Sequence, residues 1–224
     1  MDLLAASWAV FLKDARLELR TRYALGALAL FVAASLVLTR VALGAGGVRP
    51  EIAAALLWLI ILFAAAVGLG RSFLLEAERG TVLLLQLTVP SGAVYAGKLL
   101  FNVVLTVALN AAAGAGVVIV LAPAVPAPGL LALTLVLGAI GLAGATTLLA
   151  AVLARAAGAG PMLAVLAFPV LVPLLFSGVA LTRLAFTPGS NPWPDATQDL
   201  LSLVGYAGLM ITASVLLFDY VWRE

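Results

Sequence analysis

The 224-residue sequence contains no cysteine and no histidine, and only 10% of its residues are charged. Without cysteine there are no disulfides, thiolate metal sites or cysteine nucleophiles. Without histidine the commonest metal ligand and general base are also missing. A soluble domain carries about a quarter charged residues, so the scarcity of charge argues against that class. The net charge is only +2 and the basic residues are scattered, which excludes a nucleic-acid-binding patch. What the chain has is hydrocarbon: 65% of residues are hydrophobic and the mean hydropathy is +1.23. A single core of this size cannot hide that much apolar surface. The expected fold class is an all-α polytopic membrane protein, a single transmembrane domain over 1–224.

The few charges mark where the chain leaves lipid. Seventeen uncharged residues separate Arg22 from Arg40, and 19 separate Glu51 from Arg71. Each run is close to the length that spans a hydrocarbon layer of about 30 Å. The 56 residues between Lys98 and Arg155 are too many for one span, and Pro123, Pro126 and Pro128 break them near the middle. Further uncharged runs cover Ala156 to Thr182 and Leu200 to Phe218. Six spans are expected, at about 23–43, 52–72, 99–121, 130–153, 161–182 and 200–220. With the N-terminus inside, nine Lys and Arg residues lie on the cytoplasmic side, Lys98 among them, and only Arg40, Arg49 and Arg183 lie outside. That asymmetry favours cytoplasmic N- and C-termini. The N-terminal apolar run is interrupted at Lys13, so no cleavable signal peptide is read there.

Residues 1–22 form a unit of their own. Leu4, Trp8, Phe11, Leu12, Ala15 and Leu19 share one face at helical spacing, while Lys13, Asp14, Arg16, Glu18 and Arg20 point elsewhere. Such a helix lies in the membrane interface, with Trp8 and Phe11 inward and Lys13, Arg16 and Arg20 near the headgroups. An ordinary cytoplasmic tail is the alternative.

The longest cytoplasmic connection runs from Arg71 to Lys98. Glu76, Glu78, Arg79, Gly80 and Thr81 make a charged glycine turn, and a short apolar helix through Leu84 ends at Pro90. Apolar residues outside both a span and a soluble core call for a partner or for the interface. Gly92 to Lys98 matches the first seven positions of a phosphate-binding loop, but Leu99 stands where a hydroxyl must reach magnesium. No strand precedes it, and the match is read as chance. No catalytic residues and no metal site are assigned.

The spans themselves are rich in small residues. Ala111 to Gly116 and Gly138, Gly141, Gly144 and Ala145 would let helix backbones approach closely, and Asn102 and Asn110 would bond between helices. Pro169 and Pro173 lie four apart and should kink one face of the fifth span, as a structural bend or a hinge.

These pieces resemble the type-2 export permeases of ABC transporters, and within them the CcmB family of haem exporter membrane subunits. The resemblance is carried by Phe73, Glu76, Glu78, Arg79, Gly80, Thr81, Leu84, Pro90, Tyr95, Gly97, Lys98 and Asn102, by Phe168, Pro169 and Pro173, and by the block Trp8, Lys13, Asp14, Glu18 and Arg20. It runs along nearly the whole chain. It implies a non-catalytic homodimeric permease for haem delivery in cytochrome c maturation, in a bacterial inner membrane. A separate CcmA-like ATPase would hydrolyse ATP, with CcmC-like and CcmD-like membrane subunits and a CcmE-like haem chaperone as partners. Residues 76–95 would be the coupling element, with Glu76, Glu78, Arg79, Gly80, Thr81, Leu84 and Pro90 facing the ATPase. Haem would be a substrate rather than a bound cofactor, because axial ligation usually needs His, Met, Cys or Tyr. Beyond the initiator, Met162 and Met210 are the only methionines, and ligation is expected from a partner. Arg40, Arg49 or Arg183 could pair with propionates, although ordinary loop charge accounts for them. A permease for a drug, lipid or polysaccharide, and a non-transporting scaffold of the maturation complex, are the alternative functions.

Overall fold

A computed structural model describes residues 2–44, 46–68, 87–153, 159–189 and 191–223. Over these residues the chain forms seven helices and no strand. They are α1 (Leu3–Thr21), α2 (Tyr23–Leu43), α3 (Pro50–Gly68), α4 (Ser91–Leu121), α5 (Pro128–Leu153), α6 (Ala159–Phe186) and α7 (Trp193–Arg223). Helices prevail because apolar surroundings leave backbone N–H and C=O groups no partner outside the segment.

The breaks follow local chemistry. Arg22 takes the left-handed conformation (φ 52°) and divides α1 from α2, while Glu18 caps the new helix by accepting the Leu25 N–H at 2.9 Å. Ala122, also left-handed (φ 49°), ends α4 just before Pro123. Proline then opens α5 at Pro128, as it opens α3 at Pro50, where its missing N–H costs nothing. The Asn191 side chain accepts the Trp193 N–H at the start of α7.

Five helical stretches are long and apolar enough to cross a membrane: Leu25–Leu43, Ser91–Leu121, Pro128–Ala150, Leu166–Phe186 and Trp193–Phe218. The apolar stretch of α3, Pro50–Ala65, is shorter, and so falls outside this set although the sequence leads one to expect a span there. Two helices begin well before their expected bounds: α4 at Ser91 rather than 99, and α7 at Trp193 rather than 200.

α5 is the most enclosed of these helices and packs on α4, α6 and α7. Its glycines make the close approach possible. A methyl on Gly141 would meet Leu174 at 2.8 Å, and one on Gly138 would meet the Trp58 ring at 2.3 Å. Trp58, on α3, is almost fully buried between Gly138 of α5 and Gly178 of α6, and its Nε1–H donates to Thr182 Oγ1 at 2.9 Å. Close packing, rather than burial from water, is what holds helices together in lipid.

The expected polar ties are present. Asn102 Nδ2 donates to Thr147 Oγ1 at 2.7 Å, and Asn110 Nδ2 to the Leu135 carbonyl at 2.8 Å, both between α4 and α5. Tyr206 of α7 donates to the Val170 carbonyl of α6 at 2.9 Å.

Candidate functional site at the junction of α1 and α4

Six of the expected coupling residues, Glu76, Glu78, Arg79, Gly80, Thr81 and Leu84, lie outside the described residues. The described chain resumes at the exposed Leu87, and Pro90 caps α4 in an extended conformation (φ −57°, ψ 140°). Its carbonyl accepts the N–H groups of Ala93 and Val94 at 2.9 and 3.1 Å. From Pro90 onward the expected coupling element runs without a further break into a 31-residue helix.

The first two turns of α4 are where α1 docks. Gly97 has no room for a side chain, since a Cβ there would lie 2.5 Å from the Ser7 carbonyl oxygen and 2.7 Å from Val10 Cβ. Next to it, Lys98 is wholly buried and its Nζ donates to Asp14 Oδ2 at 3.1 Å. The other carboxylate oxygen of Asp14 lies 3.1 Å from Lys13 Nζ. A buried ammonium in an apolar protein requires such a partner.

One expectation is corrected here. The charge pattern places Lys98 among the loop charges, but it is buried inside α4, because the helix starts eight residues earlier than expected. The face of α1 packed on the protein is Ala6, Val10 and Asp14, which leaves much of the apolar stripe uncovered. Leu4, Trp8 and Leu19 of that stripe are exposed, and Trp8 stacks on Phe11 with centroids 4.9 Å apart. The missing side chain of Gly97 is what lets Ser7 and Val10 come against α4. Arg16 and Arg20 are exposed on α1.

An apolar cavity of about 860 Å³ opens beside this junction, between α1, α4 and α7, walled by Leu4, Trp8, Tyr95, Leu99, Ile211 and Phe218. The hinge candidates Pro169 and Pro173 lie elsewhere, on an exposed side of α6, which continues as helix through both. The phosphate-loop-like Gly92 to Lys98 is helical, with Gly97 and Lys98 committed to α1. Among the described residues no three His, Cys, Asp or Glu side chains gather as a metal cluster would require.

Sequence reasoning misses the Asp14–Lys98 contact. The available signal is Lys98 itself, a lone charge eight residues past the proline that starts the helix.

No curated protein and no solved structure matches the chain. The family described as CcmB protein matches residues 5–217, nearly its whole length. The chain belongs to the CcmB family, the membrane permease subunits of ABC-type haem exporters in cytochrome c maturation. It is a non-catalytic, multi-pass membrane subunit.

Proposed function

We propose that this subunit turns ATP-driven movement of a separate CcmA-like ATPase into helix movement that serves haem delivery. The observation that carries the reading is the continuity at the cytoplasmic end. The coupling element leads through Pro90 directly into α4, and the opening turns of α4 hold the N-terminal helix. A push on residues 76–95 would reach both helices at once.

The remaining parts follow from this arrangement. Both termini are cytoplasmic, which sets the other eight of the nine Lys and Arg residues, Lys98 being buried, on the ATPase side. α3 completes a set of six spans, and α1 lies in the interface with Leu4 and Trp8 toward the acyl chains. Two copies of the chain face a pair of ATPase subunits, with CcmC-like, CcmD-like and CcmE-like partners handling haem. The chain supplies no histidine or cysteine to the iron, so its contribution to haem is apolar surface and movement. The prolines at 169 and 173 weaken backbone hydrogen bonding on one side of α6, where bending is cheapest.

The test is to replace Gly80 by valine or Glu76 by alanine and follow cytochrome c maturation alongside membrane insertion and assembly. Lost maturation in an inserted, assembled complex is the expected result. Full maturation in both variants would refute the coupling assignment. A complex that matures cytochrome c with an ATPase unable to hydrolyse ATP would favour the scaffold reading instead.

A further inference from the structure

We propose that Asp14 and Lys98 are positioning residues that pin α1 in register on α4, so that the interfacial helix moves with the coupling element as one lever. The proposal rests on the coupling role given above to residues 76–95.

The contact between α1 and α4 is mostly smooth. Ala6 and Val10 are buried on α1, and Gly97 lets the Ser7 backbone come against α4. Apolar contact is non-directional, and by itself it would let α1 slide along α4. The ion pair removes that freedom. Slippage by one helical turn would displace Asp14 from Lys98 by about 5 Å. Lys98 would then lose the Asp14 carboxylate and Asp14 would keep only the exposed Lys13 of its own helix, and breaking a buried pair is far costlier than the pair is favourable. A buried pair contributes little net stability compared with apolar residues of the same volume, and register is its best-attested use.

Two further observations fit a lever. α1 packs chiefly on α4 and only slightly on α2, although Arg22 alone separates α1 from α2. Lys98 also begins a buried polar row at four-residue spacing: Asn102, Thr106 and Asn110. Asn102 and Asn110 tie that row to α5 through Thr147 and the Leu135 carbonyl. Movement of α1 and α4 would thus be handed to the most enclosed helix of the bundle.

The chain has no cysteine, so two introduced cysteines carry spin labels without background in this subunit. Leu19 on α1 and Ile119 near the far end of α4 are both exposed. Their distance would be measured by pulsed electron resonance, first in the isolated permease in nanodiscs, then in the complex with and without trapped ATP. The expected result is one narrow distribution that ATP leaves in place. In the D14N/K98M variant, which removes both charges at similar volume, the distribution broadens or gains a population displaced by about 5 Å, one helical turn. Haem delivered per ATP in that variant falls several-fold.

A wild-type distance that shifts by a turn on ATP trapping would overturn the lever. So would a D14N/K98M distribution as narrow as the wild type. If ATP trapping moves no labelled position anywhere in the chain, the coupling assignment fails instead, and the nucleotide-free comparison still decides the pin. If D14N/K98M does not fold, the wild-type response to ATP decides the lever.

Discussion

Gly178→Ala tests the packing of α3 against the bundle. The new Cβ would fall 2.5 Å from both Cε2 and Cζ2 of Trp58, where ordinary contact begins at 3.4 Å. Trp58 has to give way by about 1 Å, and it has nowhere to go. At the edge of the ring a Cβ at Gly138 would already lie 2.3 Å from Cη2, and the indole N–H is held by Thr182 at 2.9 Å. Overpacking a tight site costs about 1–3 kcal/mol, and a ring confined at one face, at its edge and through its N–H belongs at the upper end. The assay is reversible unfolding of the purified chain in dodecyl maltoside and dodecyl sulfate mixtures, run as a double-variant cycle with Trp58→Leu. The single Trp58→Leu change should cost about 3 kcal/mol, from lost packing and a lost hydrogen bond. In the double variant the methyl added at position 178 enters space that the ring vacated. The two costs should therefore fall short of additivity by about 2 kcal/mol. A Gly178→Ala protein of wild-type stability, or strict additivity, would refute the wedge.

Other outcomes follow from the same geometry. Asn102→Leu should cost about 1 kcal/mol in the same unfolding assay, because it deletes the bond to Thr147. Thr147 is not stranded by that change, since its hydroxyl keeps its bond to the Ala143 carbonyl at 2.6 Å, so adding Thr147→Val should recover none of the loss. In intact cells a membrane-impermeant maleimide should label a cysteine at Asn191 and spare one at Arg16; the reverse pattern would contradict cytoplasmic termini.

Much of this architecture is readable because punctuation is rare in a membrane chain. Arg22 and the prolines from 123 to 128 stand out against long apolar runs, and the helices break where they stand. Asn102 and Asn110 are legible for a related reason, since an amide within a span must find a partner on another helix. What escapes is which surfaces meet. Lys98 resembles any charge flanking a span, and only the fold brings it to Asp14, 84 residues earlier in the chain. The amphipathic stripe of α1 does not tell which face meets α4, because that contact is made by Ala6, Val10 and Asp14 around Gly97. Nothing in the sequence around Gly138 or Gly178 reveals that both confine the same indole ring.

On the proposed function, residues 76–95 receive the ATPase. A photo-crosslinking amino acid at Leu84, with a control at Asn191, tests it in native membranes. The expected result is a crosslink from position 84 to a nucleotide-binding subunit, and none from position 191. No ATPase adduct at position 84 in an assembled complex, or an adduct at position 191, would contradict it.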